Sequence, residues 1–446
     1  MSRPPLLVPA LLALAATLPA VEASGADFGF QPVALGAGAR ALGMGGAFSA
    51  VADDATAVTW NPAGLTQCEV PEVAASLGWY RSRTESSEAG TTSSEALRLD
   101  HASGLLPFFA LGCQQVIGLA WQRQYDFSRS IRWQRDEVNL DDGFAMQEEQ
   151  TRNSAGSFAS LGVSYAIEVH PGLSCGLTVN RWDDAWTRAS HYRMVSNSLT
   201  SVTITDMGTA TETSKNSAET RIVSGASVVL GAFWQASPAL TLALVAKPAY
   251  RLRLEQNAEV ASHNVGIFGD VTDTSYATVT SADLRHPSSL TLGSAWRQGD
   301  VHTLSCDATV TRWSQYRIED GTKARSPVNF HLDSADFPDL WTLRLGYEYV
   351  AILPRVILVP RCGLLLEDLP AATKAPSLSQ AEQVSATRDR WWGASAGLGI
   401  CQRSVYWDLG VQVRYGNDVG AGQFAPPNQT VDLLVTTARL GLTVPF

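Results

Sequence analysis

Period-two alternation runs through most of this chain. Between Val405 and Tyr415 one face reads Val405, Trp407, Leu409, Val411, Val413 and Tyr415, and the other Tyr406, Asp408, Gly410, Gln412 and Arg414. Trp341 to Tyr349 sets Trp341, Leu343, Leu345, Tyr347 and Tyr349 against Thr342, Arg344, Gly346 and Glu348. Ala159, Leu161, Val163, Tyr165 and Ile167 form a third apolar face. Each segment predicts a strand with one apolar and one polar side. Fourteen are expected, near 72–82, 96–109, 115–129, 156–168, 173–187, 222–236, 240–254, 285–297, 301–316, 340–350, 355–366, 390–401, 405–415 and 431–446.

A soluble sandwich also alternates, but two features separate the cases. Connections after even-numbered strands are short, as at Ser237-Pro238-Ala239, Gln298-Gly299-Asp300, Gln402-Arg403-Ser404 and His170-Pro171-Gly172. Those after odd-numbered strands, such as 83–95, 130–155, 188–221 and 255–284, are long and polar. Short periplasmic turns and long outer loops mark a transmembrane β-barrel. The chain also ends on an apolar stripe, Leu434, Thr436, Ala438, Leu440, Leu442, Val444 and Phe446. A terminal aromatic on such a stripe predicts recognition of Phe446 by the outer-membrane barrel assembly machinery. Fold class is therefore all-β, an antiparallel transmembrane barrel, with Trp79, Trp182, Trp296, Trp341, Trp391 and Trp407 as girdle candidates.

Composition sharpens this reading. Hydrophobic residues make up 45% and charged residues 17%, below the ~25% usual in soluble domains. The one long apolar run, Leu6 to Ala20, follows Arg3 and precedes small residues, which predicts a signal peptide over 1–23 with cleavage after Ala23 or Ala26. A net charge of −10 argues against a nucleic-acid partner. Six cysteines show no CxxC or zinc spacing, and Cys175, Cys306 and Cys362 share phase with lipid-facing neighbours. No metal ligand set, cofactor motif or catalytic constellation stands out, so no enzyme is expected.

Residues 24–70 precede the first strand, with the barrel over 71–446. Within them, GAGARALGMGGAFSAVADDATAVTWNPAGL (36–65) contains a superficial G-x-G-x-x-A, but no apolar strand precedes it and no βαβ unit surrounds it. Adjacent Asp53 and Asp54 read as caps or solvated carboxylates rather than an acid/base pair. So much Gly and Ala predicts tightly packed irregular backbone: a hatch tucked into the lumen.

This stretch, with Asn61-Pro62-Ala63, resembles the hatch of the FadL/TodX outer-membrane transporters of long-chain fatty acids and other hydrophobic compounds. Gly29-Phe30-Gln31, HPSSLTLGSAW (286–296), LSCDATVTRWSQY (304–316) and WTLRLGYEYV (341–350) extend the likeness over about 28–446. The resemblance implies passive uptake of a hydrophobic small molecule, released through a side opening at a kink in strand three beside Asn61, Pro62 and Ala63. Such an opening bypasses the lipopolysaccharide leaflet and releases the ligand among the outer-membrane lipids. Gly118 is the candidate kink, or an ordinary small lumen residue. Phe28 and Phe30 are candidate ligand anchors, or hatch packing. Where the family carries apolar helical segments, after strands five and seven, this chain is rich in Thr and Ser, with a short apolar run at Val265-Gly266-Ile267-Phe268. Two rival readings stay open. A general diffusion porin would use Lys247, Asp307, Arg344, Glu348, Arg361, Asp408 and Arg414 as a wet lining; the other is a PorV-like secretion-associated barrel.

Overall fold

A computed structural model describes residues 35–86, 90–139, 143–205, 207–319, 324–328, 332–373, 385–420 and 430–446. The signal-peptide expectation, Phe28 and Phe30 lie outside the described residues.

The strands close one antiparallel barrel of fourteen staves. Single strands form the first two, β1 (Glu72–Ser86) and β2 (Gly90–Ala110). The third is split into β3 (Cys113–Asp126) and β4 (Arg129–Asn139), and the fourth is β5 (Phe144–His170). The fifth is split by a helical turn at Asp184–Thr187 into β6 (Leu173–Trp182) and β7 (His191–Ile204), and the sixth is β8 (Gly208–Gln235). Prolines interrupt the next two: Pro248 separates β9 (Leu240–Lys247) from β10 (Tyr250–Val265), and Pro287 separates β11 (Val271–His286) from β12 (Ser289–Gln298). Proline has no N–H for a ladder, so pairing lapses where it sits. The ninth joins β13 (His302–Arg312) to β14 (Arg317–Glu319) across a 3-10 turn at Trp313–Gln315; β15 (Ala324–Arg325) extends its rim. Then come β16 (Asp339–Tyr349), the short β17 (Ala351–Ile352), β18 (Ile357–Ala372), β19 (Ala386–Gln402), β20 (Val405–Val419) and β21 (Val431–Pro445). β21 pairs with β1 from Glu72↔Pro445 to Glu85↔Asp432, which closes the wall.

Closure satisfies the strand amides that face hydrocarbon. The expected faces hold: Leu409 and Leu440 are exposed on the outside, whereas Asp408, Gln412 and Arg439 are buried inside. All six cysteines are free, and Cys175, Cys306 and Cys362 are exposed on the outer face.

Three expectations are corrected. The long polar connections 83–95, 130–155, 188–221 and 255–284 are largely strand, carried to the hairpins 204–208 and 265–271. Thr and Ser there supply β-propensity without an apolar face, because above the bilayer both faces of a hairpin meet water. Second, strand five stops at Trp182 rather than running to 187. Third, Trp182 and Trp391 are buried in the lumen, while Trp392 faces outward. Strand phase decides that outcome, and residue type does not.

Inside, residues 35–68 form a compact segment of short turns that fills the lumen. Met44, Phe48 and Leu65 are fully buried, each contributing roughly 1.5–3 kcal/mol by removal from water. The segment approaches the wall so closely because glycines pair in register there. A Cβ on Gly346 or Gly363 would meet the Met44–Gly45 backbone at 2.6 and 2.2 Å, and these glycines face each other across β16 and β18. Gly176 and Gly231, paired across β6 and β8, leave the same room for Asn61, Pro62 and Ala63. Gly397 and Gly410 do so for Ala39 and Gly43. The lumen segment is thus seated in three glycine sockets.

Two tests follow. Leu409→Arg puts a charge in hydrocarbon at a cost of about 2–4 kcal/mol near the midplane, whereas Gln412→Glu, facing a lumen that holds Arg344 and Arg414, is far milder. Refolding yield and heat-modified gel mobility should fall for the first variant; equal losses would overturn the face assignment. Gly363→Leu should leave a folded barrel and unseat the segment at Gly45. Faster proteolysis within residues 36–65 of the intact barrel reports this, and unchanged protection would refute the socket.

Candidate functional site

Asn61 is the segment's junction with the wall. It is fully buried and extended (φ −153°, ψ 101°), the conformation its following proline favours. Its Nδ2 donates to the Ser49 carbonyl at 2.9 Å and to the Ala232 carbonyl of β8 at 3.2 Å. Its Oδ1 accepts from the Ala63 N–H at 3.1 Å. One amide therefore ties two turns of the segment to the sixth stave. Pro62 and Ala63 lie against Gly176 and Gly231, on staves five and six. Gly118 of stave three instead faces Val58, 3.0 Å from where its Cβ would be, and Leu65. Pairing through Gly118 is regular on both sides, Leu105↔Gly118 and Gly118↔Ser164.

Stave three departs from regularity six residues further on. The β3–β5 register shifts between Arg123 and Tyr125, and the strand breaks between Asp126 and Arg129. On its other side, the β2–β3 ladder ends at His101↔Gln122. Beyond it β2 continues to Gly90, paired to β1, while β3 and β4 continue paired to β5. Among the described residues no backbone ladder joins 90–100 to 123–139. Side chains cross the gap: Thr92 Oγ1 donates to the Ser130 carbonyl at 2.6 Å, and Arg98 reaches Ser128 Oγ at 3.4 Å.

A buried charge cluster fills the lumen side of this gap. Asp100 Oδ1 accepts from Arg123 Nε and Nη2 at 3.1 and 2.6 Å. Asp100 Oδ2 accepts from Arg439 Nε at 2.9 Å and from the Tyr80 hydroxyl. Arg123 also donates to Asp126 at 2.5 Å and stacks over the Tyr80 ring. Asp100, Arg123 and Arg439 are 1% exposed or less, so each charge depends on its partners. Arg439 Nη2 donates to the Leu35 carbonyl at 2.8 Å, and the Leu35 N–H donates to the carbonyl of Gln124, the bulged residue, at 2.9 Å. Leu35 is thereby held between the last stave and the irregular point of the third.

Above the segment is a cavity of about 220 Å³. Tyr125, Trp182, Tyr250 and His286 form its wall as a chain of stacked rings, with centroids 4.9 to 6.1 Å apart. An apolar roof continues outward through Phe127, Phe158, Ile222, Leu252 and Trp313. The floor is charged. Asp307 accepts from the Phe48 and Ser49 N–H groups at 3.1 and 3.0 Å, Arg414 pairs with Glu367 at 3.0 Å, and Asp368 holds Arg388 and Arg390. Two cations lack a salt bridge among the described residues: Lys247, and Arg344, whose Nη1 donates only weakly to Thr309 at 3.3 Å. Leu35 and Arg414 also line a second cavity of about 50 Å³, shared with Asp126 and Ser128 beside the gap.

The other charges proposed for a wet pore hold the segment. Arg40 reaches Asp53 at 2.5 Å, Asp54 at 3.5 Å and Glu348 at 2.9 Å. Glu348 also takes Arg361 at 2.6 Å, Arg361 reaches Asp408, and Arg297 reaches Asp53 at 3.2 Å. Asp54 accepts from the Thr56 N–H at 2.9 Å as a local cap. Burial pushes its carboxyl up from the ordinary value, against the pull of Arg40. Sequence reading missed both the Arg40 hub and the Asp100–Arg439 cluster; Asp100 and Arg439 are 339 residues apart, and no local pattern links them.

Known proteins give the context. The solved structures of a Pseudomonas aeruginosa FadL homologue (TM-score 0.60), the Pseudomonas putida toluene transporter TodX (0.53) and the Ralstonia pickettii toluene transporter TbuX (0.52) share this fold at 13% identity. They cover 94, 94 and 92% of this chain, and 100, 100 and 98% of their own. No curated protein sequence matches. The family described as outer membrane protein transport protein (OMPP1/FadL/TodX) matches residues 16–377. With that match and a closed fourteen-stave barrel, the chain belongs to this family of outer-membrane transport proteins.

Proposed function

We propose that this barrel passes a small hydrophobic molecule carrying an anionic group from the outside to the membrane interior. The observation that carries the reading is the end of the β2–β3 ladder beside a cavity whose lining continues into the gap through Leu35. Stacked rings suit a flat apolar body. Lys247 and Arg344, without a salt bridge among the described residues, suit a carboxylate or phosphate head. Size limits the guest: an engineered cavity of ~150 Å³ binds benzene, so about 220 Å³ favours one ring or a short acyl chain over an extended long-chain acid.

In this reading, residues 24–70 act as the hatch and Asn61, Pro62 and Ala63 hold its register against staves five and six. Phe28 and Phe30 precede Leu35, which lines both cavities, and would contact the guest from the hatch side. Release requires Leu35 to leave Gln124 and Arg439, after which the guest moves past Asp126 and Ser128 between β2 and β4. Lipid outside completes the route: Leu97 and Leu99 are exposed on the outer face of β2 at this height. A steady wet pore fits less well, because Glu348, Arg361 and Asp408 are committed to one another and to Arg40.

Two measurements test the two halves. Tryptophan quenching should give tighter binding for benzoate than for toluene, and Lys247→Ala with Arg344→Gln should cut benzoate affinity by tenfold or more, each lost charge-assisted bond counting for about 1.5–3 kcal/mol. Equal affinities for the two ligands in the native protein would sink the anionic head. For the exit, cysteines at Thr92 and Ser130, with the six native cysteines replaced by alanine, should form a disulfide across the gap. Oxidation should stop benzoate entry into vesicles and reduction restore it; uptake at the native rate through the cross-linked barrel would rule this exit out.

A further inference from the structure

A row of arginines lies on the outer face of the barrel just above the apolar belt. Arg251 of β10 pairs in register with Arg285 of β11, and Arg285 with Arg317 of β14. Their neighbours Leu252, Leu284 and Ile318 are buried in the lumen, so all three arginines point outward. Below them the same staves present Leu240, Leu242 and Leu244 on β9, and Leu290 and Leu292 on β12, all exposed as lipid-facing side chains are. Only the short interruptions at Pro248 and Pro287 separate the arginines from this belt. The long-hairpin end of the barrel faces outward, which sets the row at the height of the outer-leaflet headgroups.

Three like charges directly opposite on adjacent strands repel. Carboxylates relieve part of this. Arg317 reaches Glu319 at 2.8 Å, and one row higher Arg253 faces Asp283. Arg221, nearby, takes Glu255 at 2.6 Å. Arg251 and Arg285 have no salt bridge among the described residues. Two guanidinium forks, side by side and facing the lipid boundary, match the geometry of a phosphate group. A free anion would find them too, but an amphiphile also gains from the apolar belt directly beneath.

We propose that Arg251 and Arg285, with Arg317 beside them, bind a phosphate of a phosphorylated glycolipid of the outer leaflet, its acyl chains lying along the leucines of β9 and β12. The bound lipid neutralises the row and fixes the height of the barrel in the membrane on this side.

The test compares the native protein, Arg251→Gln/Arg285→Gln, and Arg193→Gln as an exposed control on a neighbouring hairpin. Each is purified in detergent, checked for heat-modifiable mobility, and incubated with lipopolysaccharide or with enzymatically dephosphorylated lipopolysaccharide. Native mass spectrometry reads the bound glycolipid. The double variant should bind the phosphorylated form roughly tenfold more weakly or worse, each surface arginine being worth about a factor of five. The control should bind as native, and the dephosphorylated glycolipid should bind every form as weakly as the double variant binds the phosphorylated one. Equal retention by native and double variant, or no dependence on phosphate, overturns the proposal. Should the double variant fail to fold, the single variants give the same reading through partial losses.

Discussion

A peptide group cannot face hydrocarbon unpaired, and everything in this barrel is arranged around that constraint. Leaving one N–H or C=O unsatisfied there costs several kcal/mol. Fourteen staves close on themselves through β21 and β1, which removes the sheet edges. Where pairing lapses, something else must satisfy or cover the backbone. At Pro248 and Pro287 the missing donor is proline's own. At the β2–β3 gap the cover is heavier: a buried set of Asp100, Arg123, Tyr80 and Arg439, with Asp126 at its edge. So many charges at one interruption are costly unless mutually paired, and here they are.

That pairing also explains why the lumen segment belongs to the wall's own architecture. Arg439 serves two partners, the Asp100 carboxylate and the Leu35 carbonyl. Moving Leu35 removes an acceptor from a buried guanidinium and frees the carbonyl of Gln124. On the opposite side the same segment is seated at paired glycines and anchored through Arg40 to Glu348. Among the described residues the segment is held along staves five, six and ten to thirteen, and Leu35 is held at stave three through Gln124 and at the last stave through Arg439.

Much of the fold was legible because alternation is a local property. The phases of Val405–Tyr415 and Trp341–Tyr349, and the stripe ending at Phe446, are set by which face meets lipid. Outside the bilayer this signal fades while backbone pairing persists, so the Thr- and Ser-rich stretches looked like loops and are hairpins. The site was less legible. Asn61 stood out through its proline, but the glycines that receive it, Gly176 and Gly231, lie 55 positions apart on neighbouring strands and acquire meaning only through their register. Gly118 was a fair reading of residue type. The register shift falls at Gln124 because a bulge is fixed by the partner strand's pairing, which one strand's residues alone do not display.

The lumen charges follow from the same logic. A barrel of this width filled by Ala- and Gly-rich turns has many segment N–H groups and few segment side chains to satisfy them. The wall supplies the acceptors: Asp307 for Phe48 and Ser49, Glu72 for Ala55, and Glu348 for Arg40. Asp307 turns its Oδ2 to the segment's N–H groups and not to a cation. Lys247 and Arg344 have no salt bridge among the described residues and sit at the floor of the aromatic cavity, with Asp307 and Glu367 as the carboxylates acting on Arg344. The filling of the lumen thus turns a wall carboxylate toward the segment's own backbone and leaves two cations facing the cavity above it without a salt bridge among the described residues.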